Sequence, residues 1–587
     1  MQTCATPLRS QSRLRLVLAL LLHGLVYLPA ASASDLIARD NVKQPSVSWY
    51  DWGYYGSFPR RSYESFGAQS PWPALVRTDE RCDDGYIFIE PRGLYVETPG
   101  PVILDNAGNL VWMQTLWGQA MDLKVQSFQG KDYITFWHGT DNGTFGEGYY
   151  LMLDESYEVF KKVTPVGQFT GDLHEFRITD TDTALMTIYH KQAADMSAFD
   201  IKDGWIFDSI FQEIDLVTGK LLFEWRASDH FAISETLADL HGDGGDPSSA
   251  FDFFHINSVD KDAKGNYLIS SRYMCAVAAI SSDDGSVLWQ LGGKRNSFED
   301  LSQGAATNFS WNHQAAWVDN STLTVFDNGS NGRKNTAKFS RGLLVTLDTD
   351  AMTATLVQDY ISPYKVRAVS QGSVQILPNS NVLVGWGHVP AFTEFSHDGE
   401  VLCETHIGPI RLDLFSWVKN YRTFKYSWVG RPNTLPDVAM RPKQKALYVS
   451  WNGATEVDKW WIQSGPEPSG DDFRQHNTIE KTTFETKIKI PDDADEFIRV
   501  VALDKNDKVL AHSQAVSKHE KTTVELLEAP SRGLMLQPFQ IFLLCLFGVV
   551  IGFFITYYFR STLRRGINRV LRRGGATFKY QSLPSYS

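Results

Sequence analysis

The sequence predicts an all-β protein in three parts: a six-bladed β-propeller, an immunoglobulin- or fibronectin III-like sandwich, and one C-terminal transmembrane helix. Three observations carry that expectation. A hairpin-forming segment recurs along the first two thirds of the chain, a different run of short alternating strands follows Gly430, and an uncharged 21-residue stretch stands near the C-terminus.

The chain opens with Arg9, Arg13 and Arg15, continues through the mainly apolar run from Leu16 to Leu28 and closes on Ala31-Ser32-Ala33. This is the pattern of a secretory signal peptide over residues 1–33, cleaved after Ala33.

Residues 34–430 are assigned to the propeller because of the repeat. An apolar strand, an Asp or Ser turn with Gly, and a second apolar strand ending on an aromatic recur at Val102 to Trp112, Ile214 to Phe223 and Ala279 to Trp289. Weaker copies lie at Leu151 to Phe160, Leu344 to Val357 and Phe392 to Leu402. Each segment is a β-hairpin signal, and six such units over roughly 350 residues suit a ring of small sheets around an axial channel. A pair of β-sandwiches is the competing architecture.

Past Gly430-Arg-Pro432 the strands Leu447 to Asn452, Trp460 to Ile462, Phe484 to Ile490, Phe497 to Leu503 and Lys508 to Ala515 predict a sandwich over residues 431–530, with Trp451 or Trp460 in its core. The run from Phe539 to Phe559 is long enough to cross a bilayer as a helix, and the span is set at residues 538–559. Arg560, Arg564, Arg565, Arg569, Arg572, Arg573 and Lys579 follow with no acidic residue, which places the tail, residues 560–587, in the cytosol. The expected form is a single-pass type I membrane protein whose ectodomain faces the secretory or endosomal lumen or the exterior. Within the tail, Tyr580-Gln-Ser-Leu583 resembles a sorting signal read by coat adaptors.

Subtracting the three leader arginines and the seven tail cations from the net charge of −12 leaves −22 on the ectodomain, which excludes a nucleic-acid partner. Of five cysteines only Cys82, Cys275 and Cys403 face the lumen in this topology, so one disulfide at most forms within the chain, with its pairing open. Asn142, Asn308, Asn320 and Asn328 begin glycosylation sequons. The acidic loop Asp239 to Asp246 lacks EF-hand spacing and reads as solvated. No nucleotide-binding glycine loop, zinc spacing or serine elbow is present, and neither a metal nor a cofactor is expected.

The polar motifs of the propeller region are His255-Ile-Asn257-Ser258 followed by Ser270-Ser-Arg272, Trp289-Gln-Leu-Gly-Gly293, Trp311-Asn-His313-Gln, Phe326-Asp-Asn328-Gly with Arg333, and Gly385-Trp-Gly-His388. Together with Tyr50-Asp-Trp-Gly-Tyr-Tyr-Gly56 and Ser450-Trp-Asn-Gly-Ala-Thr-Glu456, their order resembles the arylsulfotransferase family, in its fungal-type membrane-anchored branch. The resemblance implies a six-bladed propeller that moves a sulfuryl group from a phenolic sulfate ester to a phenol acceptor, without a nucleotide sulfate donor and through a sulfated histidine. By motif order it implies His388 as the nucleophile, His255 and His313 as sulfate-oxygen or proton donors, and Arg333 as the sulfate clamp. Arg272 is the reserve clamp, and Asn257 joins it in substrate binding.

The residue types suit the chemistry apart from any name. A sulfate monoester needs a neutral nucleophile, donors for oxygens that stay charged, and an acid for the departing phenoxide. Taken singly, a histidine beside Phe253 and Phe254 reads as a hydrogen-bonded core residue. Convergence of His255, His313, His388 and Arg333 on one cavity is therefore the feature that separates an enzyme from a non-catalytic propeller binding ligand or protein.

Overall fold

The computed structural model describes residues 38–39, 44–411, 417–525, 548–560 and 563–564. The expected signal peptide (residues 1–33), the motif from Tyr580 to Leu583 and nearly all of the tail lie outside the described residues.

The six recurring segments are all antiparallel hairpins, and local chemistry shows why. In Val102–Leu104 and Leu110–Met113 the Asp105 carboxylate accepts from the N–H groups of Ala107 (2.9 Å) and Asn109 (2.7 Å), while Gly108 takes the left-handed conformation at φ +73. Asp215 does the same for Val217 and Thr218 beside Gly219 at φ +71. An acceptor side chain that closes the turn and a glycine that bears positive φ without steric cost make the hairpin a local decision.

Each hairpin lies in a different, mainly antiparallel sheet; Glu299–Asp300 lies beyond the hairpin from Leu344 to Val357, and Ala74–Arg77 beyond the one from Phe392 to Leu402. Among the described residues six such sheets of four or five strands succeed one another, their first strands being Ala120–Phe128, Phe176–Ile178, Ile256–Lys261, His313–Trp317, Ser373–Ile376 and Phe424–Tyr426. Contacts join the first strands Ala120–Phe128 and Phe176–Ile178, Ile256–Lys261 and His313–Trp317, His313–Trp317 and Ser373–Ile376, and Phe424–Tyr426 and Ala120–Phe128, while Arg177–Asp260 (2.7 Å) and Gln375–Lys425 bridge the other two neighbours, so the sheets close into a ring. Polar side chains stitch these inner strands together. Gln126 accepts from Ile178 N (2.8 Å), Ser258 from Ala315 N (2.9 Å), Gln314 from Val374 N (2.7 Å) and Gln375 from Lys425 N (2.8 Å).

Two sheets draw strands from both ends of the ring sequence. Ala74–Arg77 extends the sheet of Val401–His406, and Phe424–Tyr426 pairs with Tyr86–Ile89 as Phe424↔Phe88. At this closure a disulfide joins Cys82 to Cys403 across a sequence separation of 321, with Cα atoms 6.5 Å apart, and leaves Cys275 as a buried thiol.

Beyond the ring, Asp437–Arg441, Ala446–Ser450 and Glu485–Lys489 form one sheet, while Arg474–Glu480, Lys459–Gly465, Phe497–Leu503 and Val509–His512 form a second. Both supply one core in which Leu447, Trp451, Trp460, Ile488 and Val500 are buried. Asn452, which accepts from Met113 N (3.1 Å) and donates to Met113 O (3.0 Å), fastens this region to the ring, and Glu485 accepts from Ser65 N and Oγ, each 2.6 Å, in the segment that precedes the ring.

The C-terminal unit, Arg532–Ser587, is described only in part. Residues 548–560 are helical with exposed side chains, and the rest of the expected span from Phe539 lies outside the described residues. Among the described residues no helix is long and apolar enough to cross a membrane.

Candidate active site

At or just before the first strands of five successive sheets stand His174, His255, His313, Gln371 and Tyr421, and all five line one cavity of about 60 Å³. Ring closure alone brings together residues as distant in sequence as His174 and Tyr421. Arg92, Asp141 and Arg272 complete the polar wall. The space accepts a compact polar head group.

The imidazoles of His174 and His255 lie 4.9 Å apart by ring centroids, and those of His255 and His313 lie 6.3 Å apart. Each is anchored through Nδ1: His174 on Asp172 (2.7 Å), His255 on Asp252 (2.6 Å) and His313 on Asn328 Oδ1 (2.7 Å). His313 Nε2 accepts the Gln371 N–H at 3.1 Å, which makes its Nδ1 the protonated nitrogen and leaves neither nitrogen free to attack.

Burial, followed by neighbouring His174 and Arg272, pushes the His255 pKa well below its ordinary value; burial, Arg272 and His255 do the same to His313. Both rings are neutral near pH 7. Burial acts on Asp172 too, but the adjacent His174 and N–H donors from Gly146 and His174 outweigh it and hold this carboxylate below its ordinary range. Asp252 goes the other way, raised by burial to about 7. His255 also sits at φ +57, a left-handed conformation that costs a non-glycine residue on the order of 1 kcal/mol or more and that neighbouring structure must enforce.

The cations differ in their partners. Arg92 reaches Asp141 at 3.2 Å. Among the described residues Arg272 donates to two neutral oxygens, the Tyr273 hydroxyl (3.1 Å) and the Val369 carbonyl (2.8 Å). Among the described residues no carboxylate pairs with Arg272, although it is only 8 % exposed. The Nε atoms of Arg92 and Arg272, Asp252 Oδ1 and Gln371 Oε1 are buried without a partner among the described residues. Such groups mark where a ligand or ordered water completes the hydrogen bonding.

The structure thus brings His255, His313 and Arg272 together, and adds His174, Arg92 and Tyr421. His388 does not line the cavity. Its N–H donates to Ser370 O (3.2 Å), and burial with Lys419, Arg92 and Arg272 nearby lowers its pKa to about 4, so a neutral imidazole stands close to the cavity's cations. Arg333 is carried away from the cluster: the turn at Gly332 (φ +85) leaves it exposed in the loop where Lys334 pairs with Asp239. Asn257 is fully buried and ties two sheets, donating to Asn312 O (2.7 Å) and accepting from Gln314 N (3.3 Å).

Asn328 spends its side-chain nitrogen on Ala368 O (2.9 Å) and Gln371 O (3.0 Å) and is wholly buried. In the folded protein that nitrogen is not available for a glycan, whatever its sequon predicts. Asn142, Asn308 and Asn320 are exposed.

His174 carries a signal that sequence inspection passes over. Asp172-Leu-His174 and Asp252-Phe-Phe-His255 share an aspartate just ahead of a histidine at the mouth of a first strand. Arg92, in Glu90-Pro-Arg92, carries none.

Residues 124–408 match the family Arylsulfotransferase (ASST). No curated protein matches the chain. Among solved structures, a protein of unknown function from Bacteroides caccae is 14% identical, covering 58% of this chain and 98% of its own at a TM-score of 0.34. A Lactobacillus plantarum protein is 11% identical over 69% and 99% at 0.32. The β-propeller domain of Myceliophteria thermophila Cps50 (Swd1) is 10% identical over 64% and 96% at 0.29.

Proposed function

This chain is arylsulfotransferase-like over residues 124–408, and we propose that its histidine cavity transfers a sulfuryl group from a phenolic sulfate ester to a phenol. One observation carries the reading: Arg272, a buried guanidinium with no carboxylate partner among the described residues, faces a cavity walled by imidazoles. A cation without its own counter-ion favours a bound anion, and in a low-dielectric site that preference is strong.

In this proposal Arg272 and Arg92 hold the sulfate oxygens while the aryl ring stays at the mouth. His255 is the nucleophile, because Asp252 accepts the hydrogen bond from its Nδ1–H and leaves the Nε2 lone pair toward the cavity. The Nε2–S bond forms as the S–O bond to the aryl group breaks, and the departing phenoxide takes a proton held at His174, which Asp172 supports. The acceptor phenol then attacks sulfur, the N–S bond breaks, and the phenol proton returns to His174. Water in place of the phenol turns the same steps into hydrolysis. His388 is the second candidate nucleophile, favoured by its lowered pKa of about 4 beside the same arginines.

The wider proposal is that the six sheets are blades of a six-bladed propeller, with the following two sheets an immunoglobulin- or fibronectin III-like spacer. The Cys82–Cys403 disulfide supports folding in an oxidising compartment. It agrees with a secreted-pathway ectodomain glycosylated at Asn142, Asn308 and Asn320 and anchored through Phe539 to Phe559.

The test uses the purified protein, 4-nitrophenyl sulfate labelled with ³⁵S, and phenol. Phenol-dependent nitrophenol release and label retained on protein are expected in the wild type, both lost in His255→Ala and Arg272→Met. Label that disappears in His388→Ala and survives in His255→Ala moves the nucleophile to His388. Neither turnover nor labelled protein leaves a non-catalytic binding propeller as the account.

A further inference from the structure

In the sheet that begins at Phe176–Ile178, the central hairpin runs on past the neighbouring strands and leaves one edge open. Thr183–Met196 pairs with Ile201–Asp215 along nearly all its length, whereas Phe176–Ile178 covers its other edge only from Ala184 to Met186. Successive residues of a strand turn their N–H and C=O groups to opposite sides. Thr187 turns both away from Ile201–Asp215, donating to Glu175 O (3.2 Å) and accepting from Asp172 N (2.9 Å). The regular register holds as far as Ala194↔Gly204, so Lys191, Ala193 and Asp195 present their main-chain groups on the same side as Thr187. Among the described residues nothing hydrogen-bonds the N–H or C=O of these three there, and all three are exposed. The opposite edge of the hairpin is covered: Trp205 N donates to Gly244 O (2.9 Å), and Phe251–Asp252 pairs with Ile206–Phe207.

An open edge is a template for another strand, and an edge lysine ordinarily keeps unrelated strands off it. Here the lysine has its complement on the same strand. Asp195 follows Lys191 by four residues with Ala193 midway, so the three side chains share one face. Ser197, hydrogen-bonded to Asp195 through its hydroxyl and its N–H, holds that carboxyl below its ordinary range, and the charge is present at neutral pH. When two copies of the strand meet antiparallel about Ala193, each Lys191 lies opposite an Asp195, and each opposed pair exchanges two main-chain hydrogen bonds. Pairing centred on Lys191 opposes lysine to lysine and pairing centred on Asp195 opposes aspartate to aspartate, both unfavourable. Charge therefore selects the register about Ala193.

We propose that Lys191 to Asp195 is a self-complementary edge through which two copies of this chain join their sheets about a twofold axis, Lys191 of each facing Asp195 of the other. Such a contact uses the same surface on both copies and closes on itself. It does not depend on sulfuryl transfer.

Cysteine pairing in the purified full chain tests the register. Directly opposed residues of a hydrogen-bonded antiparallel pair have Cα atoms about 5.5 Å apart, within disulfide reach, whereas the two copies of residue 191 are offset by roughly 13 Å along the strands. Under mild oxidation Ala193→Cys should give a disulfide dimer at least about fivefold above the wild-type background, as should a mixture of Lys191→Cys with Asp195→Cys; Lys191→Cys alone should not. Sedimentation velocity of the wild type should show a concentration-dependent dimer, weakened about fivefold or more in Lys191→Glu and recovered in Lys191→Glu/Asp195→Lys. Ala193→Pro removes an outward N–H without touching the ladder to Ile201–Asp215 and should sediment as a monomer. Circular dichroism and thermal unfolding confirm that each variant is folded, and the charge variants decide if Ala193→Pro is not. A wild type that stays monomeric, an Ala193→Cys dimer no more abundant than that of Lys191→Cys, or a dimer indifferent to Lys191→Glu overturns the proposal.

Discussion

Replacing Arg422 by leucine should destabilise the ring more than its hydrogen bonds alone suggest. The guanidinium serves two carboxylates that are almost as buried as itself, Asp122 at 1 % and Glu175 at 5 % side-chain exposure. Without it those two anions share Lys124 alone. Removing one partner of a buried ionic cluster typically costs about 3–5 kcal/mol, because a charge is left in low dielectric. With about 2.1 cal/mol/K of unfolding entropy per residue, the roughly 480 residues from 44 to 525 convert 1 kcal/mol into about 1 °C, so the midpoint should fall by about 3–5 °C. Differential scanning fluorimetry at pH 7 measures it. Adding Glu175→Gln removes the stranded anion and should restore about 1–3 kcal/mol of the loss. There is a pH signature too. Burial opposes ionisation of Glu175, but Arg422 and Lys124 outweigh it and depress the folded-state pKa. The stability it contributes is therefore present above the ordinary carboxylate value and lost as pH falls below it, and Arg422→Leu should flatten that acid-side loss. A midpoint within 1 °C of wild type, or a double variant no more stable than the single, would refute the argument that buried charge balance at Arg422 stabilises the ring.

Two further outcomes follow from the same geometry. If His255 is the nucleophile, its rate of donor cleavage should rise as pH increases through about 7, where Asp252 ionises and fixes the proton on Nδ1; Asp252→Asn should remove that limb and slow the reaction at pH 8, as pH–rate profiles would record. Cys82→Ser should cost about 2–4 kcal/mol, by the same conversion about 2–4 °C, since the disulfide closes a long loop at the point where the ring shuts. Reduced wild type and the serine variant should melt together.

What the sequence disclosed depended on the range of the interaction. The six hairpins were legible because turn acidity, glycine and apolar flanks are local properties, seen again in Asp105 with Gly108 and in Asp215 with Gly219. The order of first strands was not, since Phe424–Tyr426 pairs with Tyr86–Ile89 across more than three hundred residues and nothing at either end announces it. His255, His313 and Arg272 were found through motifs. His174 shares their position and escaped notice, as it lies in Asp172-Leu-His174-Glu175, where acidic neighbours read as surface. The structure shows those neighbours buried and committed, Asp172 to His174 and Glu175 to Arg422. Arg333 misled for the opposite reason: Asn331-Gly-Arg333 has the composition of a site loop, but glycine turns it into solvent.

The field inside the histidine cavity is decided by where the carboxylates are spent. Asp141 is taken by Arg92, Asp172 by His174 together with backbone N–H groups, and Glu175 by Arg422 and Lys124. Asp252 is raised to about 7 and so is only partly ionised at neutral pH. With these anions compensated, Arg272 remains the cation without an ion-pair partner among the described residues, next to imidazoles that burial keeps neutral. A cavity so balanced attracts an anion without first being neutralised by its own walls. If Asp172 or Glu175 lost its partner, the resulting negative charge would oppose a sulfate as directly as the loss of Arg272. That is why Arg422, though it touches no substrate in the proposed reaction, belongs to the same electrostatic design as the histidines.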